Sequence, residues 1–112
     1  MGADAFHVYY GLRWEVDAAK EQDVTLLEKR QDTRQVAART HHLDSWWGVT
    51  TDQDRYFVLV GKLIGKFGRE NEHASRLHDA DLAHLVAETK RKLLETGLEG
   101  EPAWHFQFEP DY

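Results

Sequence analysis

Residues 6–16 constrain the fold most. Phe6, Val8, Tyr10, Leu12, Trp14 and Val16 alternate with His7, Tyr9, Gly11, Arg13 and Glu15. Successive side chains of an extended chain point to opposite faces, so a period of two sustained this long specifies a strand with one apolar face.

Beyond this strand the periodicity changes. Residues 17–43 read as helical but broken. After an acidic opening, Val24, Leu26 and Leu27 form a short amphipathic run, which a strand over 24–29 would also fit. Asp32 and Gln35 are spaced as a capping box. Val36, Thr40 and Leu43 follow at helical spacing, and the Ala37-Ala38 pair favours helix. Residues 46–51 read as a strand and 51–54 as a turn, rich in side chains that satisfy turn backbone. Residues 56–64 form a second long strand with two apolar faces, Phe57, Leu59 and Leu63 on one and Tyr56, Val58, Val60 and Ile64 on the other. Such a strand is expected at the centre of a sheet, covered on both sides. Gly61 and Gly65 permit a bend or bulge in it. Residues 67–78 read as a polar loop. Asp79 is placed to cap a helix on which Leu82, Leu85, Val86, Thr89 and Leu93 trace one face. Lys90, Arg91 and Lys92 lie toward its negative end, Gly97 fits its C-cap, and Leu98 follows as the usual apolar contact. Trp104, Phe106 and Phe108 alternate in a last strand that Pro110 ends.

The order strand, helix, strand, strand, helix, strand resembles the ferredoxin-like βαββαβ pattern. The resemblance implies one α+β domain over residues 1–112. It would hold a four-stranded antiparallel sheet, with the first and third strands central and the helices on one face.

Composition narrows the partners. Lys and Arg number 14 against 20 Asp and Glu, and the net charge of −6 repels a phosphate backbone. There is no cysteine, which excludes disulfides, thiolate metal sites and a cysteine nucleophile. No apolar stretch approaches the roughly 20 residues that span a bilayer. The first residues lack the basic and apolar regions of a signal peptide. A cytoplasmic location is expected, with neither nucleic acid nor membrane as partner.

Candidate functional residues follow from strand parity. If the even-numbered residues of the first strand face the helices, His7, Tyr9, Arg13 and Glu15 face away. His105, Gln107 and Glu109 of the last strand join them. His7, Tyr9, Arg13 and His105 are therefore the candidate ligand-binding groups, and together with Glu15 they could in principle form a proton-transfer set. The outward residues of the third strand are expected to be Tyr56, Val58, Val60, Lys62 and Ile64, too apolar to leave in water as one patch. Tyr56, Val58 and Val60 form a candidate interface with Trp46 and Trp47, which as strand neighbours point to opposite faces. A second copy packed about a two-fold axis is the simplest cover, and another protein or a small molecule are the alternatives. The seven histidines show no metal-ligand spacing, and no nucleophile elbow, phosphate loop or RNA-binding aromatic motif is present. No metal or cofactor is expected, and no catalytic residue is specified. The sequence reads as a small interaction domain, homodimeric through its open sheet face. The alternative is a small-molecule or enzymatic site on that face.

Overall fold

The computed structural model describes residues 5–50, 54–68, 72 and 74–109. The elements run β1 (Ala5–Asp17), α1 (Glu21–Glu28), α2 (Thr33–Thr40), β2 (Asp44–Val49), β3 (Arg55–Gly68), α3 (Asp79–Thr96) and β4 (Ala103–Glu109). The strands form one four-stranded antiparallel sheet in the order β2-β3-β1-β4, so the two longest strands are central.

The broken helical segment is two helices. Residues 24–28 are helical rather than extended, and Val24 and Leu27 are its buried positions. Asp32 caps α2 in a full capping box with Gln35. The Asp32 carboxylate accepts from the Arg34 backbone N–H at 2.9 Å and from Arg34 Nε at 2.8 Å. These bonds hold the Asp32 carboxyl below the usual aspartate range, the side-chain bond first among the causes. The Gln35 amide donates to the Leu27 carbonyl at 3.0 Å, which ties α2 to the end of α1.

Both helices close in the same way. Gln31 N–H bonds Leu26 O at 2.8 Å and Arg30 N–H bonds Leu27 O at 3.0 Å, and Leu43 and His42 repeat the pattern onto Ala38 and Arg39. This double closure places one residue in the left-handed region, where glycine is usual. Here the residues are Arg30, at φ 59°, and His42, at φ 57°. At the end of α3 glycine does fill the left-handed position, Gly97 at φ 74°. The N-cap of α3 is His78, one residue before the expected Asp79, which with Asp81 lies in the first turn and complements the helix dipole.

The helices share one face of the sheet. Leu12, Ala38, Val60 and Leu93 form one buried cluster and Val16, Val24, Leu27 and Val58 another, with Trp14 packed against both. Leu12 pairs with Val60 and Trp14 with Val58 across β1 and β3, so these residues share a side. Each fully buried Leu or Val contributes about 1.5–3 kcal/mol relative to exposure.

Residues 51–53 of the expected turn and Pro110 lie outside the described residues, as do 69–71 and 73 of the expected loop. Within that loop, Phe67 and Gly68 extend β3, and Glu72 bridges to Phe67. Among the described residues, no helix is long and apolar enough to cross a membrane.

Candidate functional site

The face away from the helices carries Tyr9, Phe57 and Leu59 as a third cluster, with Trp46 and Leu63 packed against it. The register arranges this face in rows across the sheet. Trp46 pairs with Leu59, which pairs with Arg13; Gly61 pairs with Gly11; Leu63 pairs with Tyr9, which pairs with His105; Lys66 pairs with His7, which pairs with Gln107. On a flat sheet the first and last of these rows would stand roughly 20 Å apart, at about 3.3 Å per residue. They touch. The His7 imidazole stacks on the Trp46 indole with centroids 4.5 Å apart, Lys66 Nζ sits 5.6 Å over the same indole, and Arg13 Nε donates to Gln107 Oε1 at 3.2 Å.

The sheet is therefore curled, concave on this face. Two local features permit it. Gly11 and Gly61 face each other at the fold line, where added Cβ atoms would collide with the Val60 and Tyr10 carbonyls. The β1–β3 register also shifts between Val8 and Tyr9, which leaves Ile64 unpaired as a bulge. The curl seals the face from within: His7, Tyr9 and Phe57 are each 2% exposed and Leu59 is fully buried.

All four expected ligand-binding residues share this face, but each is engaged there. His7 lies under Trp46. Burial, and secondarily the Asp44 charge, push the Tyr9 phenol well above the ordinary tyrosine value, so it stays neutral and exchanges no proton near neutral pH. Arg13 spans Gln107 and Glu15, the latter at 2.7 Å, with its guanidinium 5.3 Å over the Phe57 ring. His105 Nε2 is 3.0 Å from the Gly11 carbonyl, which can only accept, so this nitrogen carries a proton and donates.

The expected interface residues need correction. Val58 and Val60 are fully buried on the helix side, and Tyr56 stacks there on Trp47 at 6.1 Å. The outward set of β3 is instead Phe57, Leu59 and Leu63, because pairing with Leu12 and Trp14 fixes the even residues inward. Trp46 and Trp47 do point to opposite faces, Trp46 into the concave cluster and Trp47 toward α1. Among the described residues, the Trp46 indole N–H is buried without a hydrogen-bond partner.

Two features escaped the sequence reading. On the helix side, at the end of the sheet where β1 meets β4, Phe6 is 50%, Trp104 38% and Phe106 71% exposed. They share a side because Phe6 pairs with Phe108, Val8 with Phe106 and Tyr10 with Trp104. Beside β2 runs a groove of about 700 Å³, which the curl of the sheet also brings up to Phe108 of β4. Its lining includes Arg30 and Arg39 with Trp46, Trp47, Val49 and Phe57, and among the described residues no carboxylate. A signal for the arginines does exist: neither has an acidic residue three or four positions away. By contrast, Arg91 has Glu88 and Glu95, and pairs with both. Lys92 bonds Glu88 and the His42 carbonyl, so Arg91 and Lys92 of the basic run on α3 belong to a surface ion-pair network.

Among the described residues, no group of His, Asp and Glu side chains is placed to hold a metal ion. Comparison of the chain with known proteins finds no matching family model, no matching curated protein and no matching solved structure.

Proposed function

We propose that this chain is a non-enzymatic interaction domain that self-associates through its sheet, with a second copy seated on the aromatic end of β4. The observation that carries this reading is the exposure of Phe6, Trp104 and Phe106 side by side. A contiguous aromatic surface of this kind is costly to leave in water and marks an interaction site. A two-fold axis would set each patch against its own copy and bury both at once. The contact thus moves from the concave face, which the chain fills itself, to the helix side beyond α3. A ferredoxin-like arrangement in a single domain over residues 1–112 belongs to the same reading. The strand order supports it, with α1 and α2 together in place of the first helix. So does a cytoplasmic location, which the cysteine-free acidic composition favours.

Light scattering across a concentration series tests the contact. The expected result is twice the chain mass at high concentration. Phe106→Glu should give a monomer with unchanged helical ellipticity, since the residue is exposed. A strict monomer throughout, or a dimer indifferent to Phe106→Glu, would sink the reading.

A small-molecule or enzymatic site built on His7, Tyr9, Arg13 and His105 is the second reading. One observation favours it: the four share a concave face. It requires a ligand that perturbs the His105 imidazole resonance saturably. A small-molecule screen that leaves this resonance unmoved dismisses it.

A further inference from the structure

The edge strand β2 has β3 on one side and, among the described residues, no strand on the other. An edge of this kind presents a rank of unpaired backbone N–H and C=O groups, a template for another extended chain. The groove beside it has walls on both sides of the strand. Trp46 and Phe57 belong to the concave side, Trp47 to the helix side, where Arg30 and Arg39 stand, and Phe108 of β4 completes the lining. Neither arginine has a carboxylate partner among the described residues, whereas Arg13, Arg34, Arg55 and Arg91 all do. In a chain of net charge −6, this is a local reversal of sign.

Arg30 carries a second mark. It holds the left-handed position closing α1, where glycine would be unstrained. Its backbone bonds to Leu27 need no side chain, so the guanidinium itself has no role in the closure. A strained position occupied by a charged residue, lining a cationic groove with no carboxylate among the described residues, fits binding better than folding.

We infer that β2 takes up an extended peptide, acidic residues alternating with apolar ones, as a fifth strand of the sheet. Alternate residues of an added strand fall on opposite faces. The acidic set would meet Arg30 and Arg39, and the apolar set would cover Trp46 and Phe57. A small anion could reach one wall but not both, because the β2 backbone lies between them. The net negative charge does not forbid this, since it is screened over about 8 Å at physiological salt while the guanidiniums act in contact.

The probe is a synthetic capped peptide, Glu-Val-Glu-Val-Glu-Val, titrated by calorimetry and tryptophan fluorescence. Three changes should each weaken binding by about tenfold or more, the scale of one charge-assisted hydrogen bond. These are replacement of Glu by Lys in the peptide, Arg39→Glu in the protein, and N-methylation of the peptide on the residues facing β2, with both alternating sets made. Arg30→Gly gives the sharpest readout. It should weaken binding while raising the melting temperature, an outcome that a purely structural Arg30 would not produce. Equal binding of the Lys peptide, or of both N-methylated peptides, overturns the inference. So does binding that Arg30→Gly and Arg39→Glu leave unchanged, or the absence of any binding at millimolar peptide. Displacement of the peptide by benzoate at equal concentration would reassign the groove to small anions and overturn it too.

Discussion

Tyr9 shows how a candidate site residue becomes a structural one. Its phenol is packed beneath the curled face with Phe57 and Leu59, and burial raises its pKa, with Asp44 adding to the effect. The folded-state value exceeds the unfolded one of about 10, so the folded chain holds this proton more tightly. The stabilisation is fully present below that pH and is lost as pH rises beyond it. In an alkaline titration, Tyr9 phenolate absorbance should appear only together with loss of near-UV ellipticity, the Tyr9→Phe variant isolating its contribution. Ionisation of Tyr9 while the fold persists near pH 10 would contradict the sealed geometry. The sequence reading put Tyr9 on this face correctly, because the alternation of β1 is unambiguous. It missed the closure, because His7 meeting Trp46 requires a bend at two glycines far apart in the chain, which no local pattern records.

Elements differ in how much of their environment they encode. β1 and the capping box of α2 were legible, since each depends on spacing within one segment. β3 was not: Phe57 and Leu59 are as buried as Val58 and Val60, so its own pattern carries no parity, and only pairing with β1 assigns its faces. β4 misled in another way. Trp104 and Phe106 have the alternation of a core-facing strand, yet α3 leaves their end of the sheet uncovered. The helix itself offers a paired test. Leu93 packs with Leu12, Ala38 and Val60 at 3% exposure, while its neighbour Leu94 is 83% exposed. Leu93→Ala should cost about 3 kcal/mol in urea unfolding, from lost burial and the cavity left behind. Leu94→Ala should stay within about 0.5 kcal/mol, as surface changes do. Similar losses at both positions would mean that α3 is rotated from the orientation described.

At the scale of the whole molecule, a body of 43 × 36 × 19 Å has two unlike sides. One is a helix layer on a sheet, and the other is a sheet closed upon itself. β1 and β3 belong to both cores and are paired along both edges, whereas α1 buries only Val24 and Leu27. Native-state hydrogen exchange should therefore be slowest in β1 and β3, which open only with the whole fold, and at least about a hundredfold faster in α1. Uniform protection across these elements would deny the difference. The cationic β2 side and the aromatic β4 end meet at Phe108, which lines the groove and packs on Phe6, so peptide uptake and self-association are neighbouring events on the molecule. The facing pair Gly11 and Gly61 has a further consequence, for how the chain reaches this state. Slide β1 one position along β3 and the two glycines no longer face each other, so the close backbone approach, where an added methyl group would meet a carbonyl, belongs to the native alignment. A misaligned pairing of the two central strands therefore forgoes the bend that closes the concave face. The facing glycines thus tie the alignment of the strands to the curl of the sheet.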